Sequence, residues 1–293
     1  MKQLYKNTYL LYAFLGGLLV TFIGQAQTPN SWTQKADLGL STPNGSMQRF
    51  GGVSFSIDSK GYFGTGTYQS YEKDFWEYDP ATDTWTQKAD FGGSARQNAA
   101  GFSVNGKGYI GTGYDGSFKK DFWEYNPSTN AWTQKADFGG VQRAEAVGFS
   151  INGKGYLGTG DSGSARKDFW EYDPNTDRWT QKADYAEERY QAVGFSMGGK
   201  GYIGTGRIGF TYKNDFWEYN PTTNTWTKKA DFAGGGRRNA VGFSINGKGY
   251  IGTGSDGSYK NDFWEYNLSS DTWVQKANFG GIPRFLASGF SIG

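Results

Sequence analysis

The sequence predicts an all-β fold in which repeated four-stranded sheets form a propeller, and three observations support this prediction. Tryptophan recurs at intervals of 47 residues, each repeat contains four short strand-like segments bounded by turns, and helical periodicity is absent outside the first 26 residues. Periods of 40–50 residues are typical of propellers and solenoids. The two tryptophan series are Trp76, Trp123, Trp170, Trp217 and Trp264, then Trp85, Trp132, Trp179, Trp226 and Trp273.

The four strands of a repeat can be assigned in chain order from their residue types. The first is AVGFSIN (240–246), the second GYIGTG (249–254), the third DFWEYN (262–267) and the fourth TWTQKA, as at 84–89. All are rich in aromatic and β-branched residues. Asn-Gly between the first and second strands predicts a tight hairpin. Asn-Pro or Asp-Pro after most third strands predicts a wider turn.

Side-chain size across the repeat predicts how the strands are ordered in space. The first two strands carry small residues such as Gly242 and Gly252, the third carries Phe216 and Tyr219, and the fourth alternates polar residues around Trp226. Strands near a propeller axis have little room for side chains. A strand that carries large apolar groups on both faces is typical of a sheet covered on both sides. Each sheet is therefore expected to be a wedge with its first strand innermost.

The repeat resembles the kelch repeat. An arginine precedes VGFSINGKGYIGTG, and NDFWEYNPTTNTW follows, as in the kelch pattern of Arg, paired glycines, a Tyr-Asp-Pro turn and a Trp. The resemblance covers residues 32–293 and implies a kelch-type β-propeller, a fold that serves both as an enzyme and as a binding scaffold. This chain differs from the kelch pattern because it has Gly-Thr-Gly in place of Gly-Gly, at 64–66, 111–113, 158–160, 204–206 and 252–254.

The period predicts five complete blades and a partial sixth. The complete repeats are expected near 49–95, 96–142, 143–188, 189–236 and 237–283. Residues 31–38 supply only a fourth strand and residues 284–293 only a first strand, so the partial blade would be shared by the two chain ends. Unpaired strand edges are unfavourable. We therefore expect the chain to be a fragment that lacks the rest of the sixth blade, in preference to a closed five-blade ring.

Residues 1–26 have the layout of a bacterial secretory signal peptide, which leaves 27–293 as the propeller. Lys2 and Lys6 precede the uncharged apolar run 9–23, and Gly24-Gln25-Ala26 follows. That run is short for a membrane span of about 20 residues. A retained anchor is the alternative. The prediction is a secreted, cell-surface or periplasmic protein with no integral membrane segment after signal removal.

Charge and composition exclude several functions. The chain has 30 Lys and Arg against 28 Asp and Glu, and the signal region holds two of the lysines, so the mature part is near neutral. Nucleic-acid binding is not expected, because it needs clustered positive charge. There is no His and no Cys. This excludes Ser-His-Asp and Cys-His catalysis, and also the copper chemistry of galactose oxidase, a kelch propeller with His ligands and a Cys-linked Tyr. No metal or cofactor is expected.

One arginine lies six residues before the first-strand phenylalanine of each repeat. A ring of guanidinium groups could bind a carboxylate or another anion. The alternative is bonding between blades, because an aspartate recurs just before each third strand and a buried arginine needs a compensating charge. The arginines are Arg49, Arg96, Arg143, Arg189, Arg237 and Arg284, and the aspartates are Asp74, Asp121, Asp168, Asp215 and Asp262.

Two pairs of residues vary in each repeat, one pair after the arginine and one after Gly-Thr-Gly. In an antiparallel blade the connection from the preceding fourth strand (4–1) and the connection between strands two and three (2–3) emerge at the same end. Loops on a rigid frame commonly carry binding specificity. We therefore expect a protein or glycan ligand at this face. The candidate residues in these pairs are Gln97, Tyr114, Asp161, Tyr190, Arg207 and Arg238.

Three functions stay open from the sequence. The first is an exported binding or scaffold protein. The second is an enzyme acting on an acidic sugar of the sialic-acid type, with Glu145 paired with Glu187 or Glu188 as weak catalytic candidates. Glycoside hydrolysis needs two carboxyl groups about 5–10 Å apart. The third is a platform that presents a further domain.

Overall fold

A computed structural model of the protein describes residues 30–38 and 49–292, and these residues contain strands and turns but no helix. They form five four-stranded antiparallel blades in a ring. Blade 1 consists of β1 (Val53–Ile57), β2 (Lys60–Gly64), β3 (Phe75–Asp79) and β4 (Thr84–Lys88); blade 2 of β5 (Ala100–Val104), β6 (Lys107–Gly111), β7 (Phe122–Asn126) and β8 (Ala131–Lys135).

The remaining blades repeat this order. Blade 3 consists of β9 (Val147–Ile151), β10 (Lys154–Gly158), β11 (Phe169–Asp173) and β12 (Arg178–Lys182). Blade 4 consists of β13 (Val193–Met197), β14 (Lys200–Gly204), β17 (Phe216–Asn220) and β18 (Thr225–Lys229), with a small hairpin of β15 (Arg207–Ile208) and β16 (Thr211–Tyr212) in its 2–3 connection. Blade 5 consists of β19 (Val241–Ile245), β20 (Lys248–Gly252), β21 (Phe263–Asn267) and β22 (Thr272–Lys276).

Within a blade the strands form a simple antiparallel meander, and the predicted turns set its register. In blade 3, Tyr156 lies opposite Phe149 on one side and opposite Glu171 on the other. Asn152 and Gly153 between the first two strands both have positive φ, at 49° and 76°. That is the conformation of a type I′ hairpin turn, which Asn-Gly favours.

The radial order of the strands agrees with the predicted wedge. The first strands of neighbouring blades contact one another around a central channel, which small residues such as Gly101, Gly148 and Gly194 line. The fourth strands alternate exposed and half-buried residues, as expected for the rim. The first strand is therefore innermost and the fourth outermost.

A contact with the preceding blade, in addition to crowding at the axis, requires glycine in the second strands. A Cβ at Gly155 would overlap the ring of Phe102 in the preceding blade, and a Cβ at Gly201 would overlap Phe149. The first-strand phenylalanines of blades 1–4 thus lie against bare backbone positions of the next blade. The aromatic residues of the third and fourth strands pack onto this layer, with Trp132 of blade 2 at 5.0 Å from Phe75 of blade 1.

The two end segments lie between blade 5 and blade 1. Ser288 Oγ donates to the carbonyl of Gly52 at 3.0 Å, and Phe290 covers Gly61 as Phe102 covers Gly155. On the other side of this gap, Trp32 Nε1 donates to the carbonyl of Ala277 at 3.0 Å. Neither 32–38 nor 284–292 forms a strand, so the expected shared sixth blade is not built as a sheet.

The predicted signal peptide, residues 1–26, lies outside the described residues. Within 30–38 and 49–292 there is no helix with the length and apolar character needed to cross a membrane.

The packing of phenylalanine on glycine predicts that Gly155→Ala destabilises the fold by about 1–3 kcal/mol, the usual cost of overpacking. Its neighbour Phe102 is buried and cannot move away. Gly61→Ala is the matched control and should cost less, because Phe290 is only half-buried and lies near the end of the chain. Chemical denaturation measures both values. Equal costs would show that Phe290 is held as firmly as Phe102.

Candidate ligand-binding face at the channel mouth

The arginine before each first strand is part of a buried ion pair. Arg143 has no exposed surface, and its Nη1 and Nη2 donate to the two carboxylate oxygens of Asp168, both at 2.7 Å. Nη1 also donates to the carbonyl of Thr159 at 2.8 Å, and the guanidinium lies over the ring of Phe138. The same pairing occurs in Arg49–Asp74, Arg96–Asp121, Arg189–Asp215 and Arg237–Asp262.

These ion pairs correct one expectation from the sequence, because each joins two residues of the same repeat and not of neighbouring blades. Burial by itself would raise the pKa of Asp168, but the hydrogen bonds from Arg143 outweigh it and hold that pKa below its usual value. The link between blades comes from the backbone of the same residue, since the amide of Gly113 donates to the carbonyl of Arg143 at 2.7 Å. A ligand would find no accessible surface on this guanidinium.

Arg284 differs from the other five arginines. Its side chain is exposed, and its Nε donates to the carbonyl of Ile282 at 3.2 Å. Among the described residues it has no carboxylate partner within ion-pair distance. The equivalent aspartate would precede a third strand that residues 284–292 do not reach.

The residue two positions after each arginine lies at the mouth of the channel. All six such residues have positive φ, and their backbones form a closed ring in which each amide donates to the carbonyl of the equivalent residue in the preceding segment, at 2.7–3.4 Å. The ring includes Leu286, which bridges blade 5 to blade 1. Its members are Gly51, Asn98, Glu145, Gln191, Asn239 and Leu286.

All six of these residues line a small cavity, and four of them contribute polar side chains. Gln191 Nε2 donates to Glu145 Oε1 at 2.7 Å, and Asn98 and Asn239 also line the cavity, whose volume is about 160 Å³. Pockets that enclose small ligands are typically about 300–1,000 Å³. The mouth therefore offers a surface on which a ligand can lie rather than a pocket that encloses it.

Glu145 is the one titratable residue among the six members of this ring. Burial raises the pKa of its carboxyl group, and the negative charge of Asp161 adds to the rise. The hydrogen bond from Gln191 and the charges of Arg207 and Arg238 act in the opposite direction, but the net pKa lies above the ordinary value. Perturbed carboxyl groups of this kind are common at functional sites.

The structure brings the variable pairs together as predicted. Backbone bridges join Gln97 to Tyr114 and Tyr190 to Arg207, so the 4–1 and 2–3 connections share one end of the ring. Asp161 and Arg238 take equivalent places, bridged to Ala144 and Ser255. The guanidinium of Arg207 lies 4.8 Å from the centre of the Tyr190 ring.

Aromatic side chains surround the mouth on the same connections. Tyr259 stacks on Phe285 at 4.8 Å, and Tyr114 contacts Phe118 at 5.3 Å. Phe210, on the turn of the small hairpin, is 97% exposed. This ring adds an exposed apolar surface to the aromatic groups on these connections.

Sequence reasoning selected the first member of six variable pairs and, among the second members, only Glu145. Asn98, Gln191 and Asn239 were passed over, although they lie in the mouth ring. A signal was available, because asparagine tolerates positive φ better than other side chains do. Phe210 and Tyr259 were missed because a turn residue gives no sign in sequence of which way it faces.

The two glutamates that the sequence pairs with Glu145 are not bonded to it. Glu187 pairs with Lys213 at 2.8 Å and with Arg189 at 3.5 Å, and Glu188 is exposed. Within the described residues no hydrogen bond connects either glutamate to Glu145. No cluster of three or more acidic groups suited to a metal ion occurs in 30–38 and 49–292.

Comparison with known proteins supports the fold. No protein-family model matches the chain, and no curated protein does. Among solved structures, the chain is similar to one described as "Structure of YjhT", with a TM-score of 0.70, 19% sequence identity and coverage of 83% of this chain and 87% of that chain. At this identity the similarity concerns the propeller fold alone.

The buried ion pair predicts a large cost for Asp168→Ala. The substitution leaves Arg143 buried and uncompensated, and we expect the free energy of unfolding to fall by about 3–5 kcal/mol. Asp184→Ala is the matched control, because its pair with Lys167 is exposed at 3.8 Å and should change stability by less than about 1 kcal/mol. Urea denaturation measures both. Similar losses would argue against the structural role of the buried pair.

The raised pKa of Glu145 predicts a pH-dependent gain from Glu145→Gln. A carboxyl group with a raised folded-state pKa stabilises the fold below its ordinary value of 4.5, and this stabilisation is lost as the pH rises through the folded-state pKa. The thermal midpoints of variant and parent should therefore agree near pH 4, and the variant should melt higher at pH 7. Glu187→Gln, at a half-exposed position, should give no gain at pH 7. Parallel profiles for Glu145→Gln and the parent would contradict the burial of this group.

Proposed function

We propose that the chain is an exported kelch-type propeller that binds a glycan across the channel mouth. The observation that carries this proposal is the mouth ring, where Asn98, Glu145, Gln191 and Asn239 converge on one polar cavity. Amide side chains both donate and accept hydrogen bonds, and carboxylates accept them. Sugar hydroxyl groups do both, so a saccharide could use every one of these side chains.

Unsatisfied polar atoms at the same face favour a ligand rich in hydroxyl groups. Among the described residues, three polar atoms at this face are buried and have no hydrogen-bond partner: Gln191 Oε1, Arg207 Nε and Arg238 Nε. Buried polar groups are nearly always paired with protein or solvent atoms. A polyhydroxylated ligand supplies both acceptors for the two Nε–H groups and a donor for the amide oxygen.

The aromatic residues around the mouth provide the second element of glycan recognition. Tyr259, Phe285 and Phe210 lie on the connections that border the ring. Flat aromatic faces can cover the apolar face of a sugar, while the polar end of tyrosine stays in water. Polar groups at the centre and aromatic groups at the border together fit a saccharide better than a purely apolar partner.

The shape of the site favours ligand binding over catalytic turnover. The cavity of about 160 Å³ leaves a ligand in contact with solvent, whereas catalytic sites commonly exclude water.

The N-terminal sequence favours export of the protein. Residues 1–26 carry the positive and apolar regions of a secretory signal. Extracellular glycans would then be within reach.

The test is an array of neutral and acidic oligosaccharides probed with the full chain. We expect retention of at least one glycan class, with affinity reduced at least tenfold in the double variant Asn98→Gly and Asn239→Gly. Glycine keeps the positive φ of both positions. The matched control is Asn152→Gly, which also has positive φ but lines the opposite opening. No retained glycan, or equal loss in the control, would contradict the proposal.

A second candidate, hydrolysis of an acidic sugar, is favoured by one observation. Glu145 has a raised pKa, as a general acid requires, and Asp161 is the second negative charge acting on it. This pairing of Glu145 with Asp161 differs from the pairing of Glu145 with Glu187 or Glu188 that the sequence indicated. Incubation with a sialylated oligosaccharide should release free sugar in the parent and none in Glu145→Gln. If the parent releases no free sugar, hydrolysis is contradicted and only the binding function remains.

A further inference from the structure

A groove on blade 2 is a second concave surface, separate from the mouth cavity. Residues 92–94, from the connection that enters the blade, form one wall, and residues 117–121, from its 2–3 connection, form the other. Ser94 Oγ joins the two connections by donating to Asp115 Oδ2 at 2.7 Å. The volume of this blade 2 groove is about 690 Å³, which lies within the range of about 300–1,000 Å³ for sites that take small ligands.

Trp123 of β7 offers a fixed aromatic surface in the blade 2 groove. Its Nε1 donates to Asp121 Oδ2 at 2.8 Å, and Asp121 is held by the buried Arg96. Gly92 lies directly against the ring, since a Cβ there would be 2.6 Å from Cε3 of Trp123. The indole is half-buried and lines the groove. A ring that is already held in place can cover the apolar face of a sugar with little further loss of conformational freedom.

Two side-chain amides in the groove have no partner within the part of the chain that the structure describes. Gln134 of β8 and Gln142 are exposed and make no hydrogen bond through their side chains. In blade 3, by contrast, the equivalent Gln181 donates to Asp184 at 3.4 Å. An amide group both donates and accepts hydrogen bonds, and a sugar hydroxyl group does the same. Gln134 and Gln142 are therefore available to the hydroxyl groups of a ligand.

Two of the groove residues occur at positions that differ among the blades. Gln142 lies just before the repeated arginine, where the other blades have Ala95, Glu188, Gly236 and Pro283. Phe118 is bridged to Tyr114, and among the five described blades both residues of this pair are aromatic in blade 2 alone. The other pairs are Thr67–Tyr71, Asp161–Ala165, Arg207–Tyr212 and Ser255–Tyr259. The fold does not require Gln142 or Phe118, because the other blades form without them.

The charged groups of the groove compensate one another. Lys119 pairs with Asp115 at 2.9 Å, and Lys120 pairs with Asp137 at 3.4 Å. The remaining cation, Arg96, is buried in the ion pair described above. Each of the three cations that line the groove thus has a carboxylate partner. This favours an uncharged ligand, because an anion binds most strongly where cationic donors are open to it.

Aromatic side chains connect the blade 2 groove with the channel mouth. Phe118 lines the groove, and its ring centre lies 5.3 Å from that of Tyr114. Tyr114 is bridged to Gln97, whose neighbour Asn98 lines the mouth cavity. A ligand chain that starts at Asn98 can therefore cross Tyr114 and Phe118 and reach the groove at the same end of the ring.

We infer that the proposed glycan site extends into the blade 2 groove and takes a neutral oligosaccharide chain in preference to a single sugar. This inference rests on the proposed glycan binding at the mouth. One sugar unit lies against the polar ring of the mouth, and the following units pass over Phe118 and end against Trp123, Gln134 and Gln142. The mouth cavity, at about 160 Å³, is much smaller than the groove, so the groove supplies the larger part of the contact.

The experiment compares short and long neutral saccharides by isothermal titration calorimetry with the full chain. The probes are the disaccharides and hexasaccharides of glucose, mannose, galactose and N-acetylglucosamine. The hexasaccharide of at least one series should bind at least tenfold more tightly than its disaccharide. The double variant Gln134→Ala and Gln142→Ala should weaken hexasaccharide binding about tenfold, because two hydrogen-bonding groups are lost. It should bind the disaccharide as the parent does.

The matched control is the double variant Gln87→Ala and Gln181→Ala. It removes two exposed amides from the positions in blades 1 and 3 that are equivalent to Gln134, and it should change neither affinity. All of the substituted side chains are exposed, so both double variants should fold as the parent does.

The outcomes separate this inference from the proposed function. Equal affinity for both lengths, or an unchanged hexasaccharide affinity in the groove variant, would overturn the inference and leave the mouth site in place. A hexasaccharide that binds through the groove but is insensitive to Asn98→Gly and Asn239→Gly would overturn the mouth as the place where the chain begins. If no saccharide of either length binds, the proposed function and the inference both fail.

Discussion

The contact between a first-strand phenylalanine and a second-strand glycine of the next blade is the constraint on which the ring depends. A side chain at Gly155 or Gly201 would push the blades apart, because Phe102 and Phe149 already occupy that space. Protein interiors are too densely packed to absorb such a change. The same contact recurs from blade to blade, and it is repeated at the end segment, where Phe290 lies against Gly61. The described ring therefore has five blades and space for a sixth.

The buried arginine of each repeat connects this packing to the variable loops. Arg143 binds Asp168 at the base of the 2–3 connection and the carbonyl of Thr159 just after the second strand, while its own backbone begins the 4–1 connection. Thr159 has a φ of 58°, which is unfavourable for a β-branched residue. The ion pair and the hydrogen bonds hold that strained turn. Both connections are thus rigid at their bases, and their outer residues can differ from blade to blade.

Two regions of the ring depart from the uniformity of the repeat. The channel mouth has its character because six equivalent positions carry different side chains on one closed backbone ring. At blade 5, beside the chain ends, cover is missing: Ile245 is 43% exposed, whereas the equivalent residues of the other four blades are 2–4% exposed.

The sequence by itself determined the strands, their order and the end of the ring that carries the variable loops, because period, turn residues and side-chain size are local properties. It also identified the arginine and aspartate partners, though it placed their bond between blades. Tertiary structure decided what depends on the distance between remote residues. It placed Gln191 and not Glu187 beside Glu145, and it buried Arg143 while exposing Arg284. Identical local sequence cannot reveal these differences, because burial and charge pairing depend on which neighbours the closed ring brings into contact.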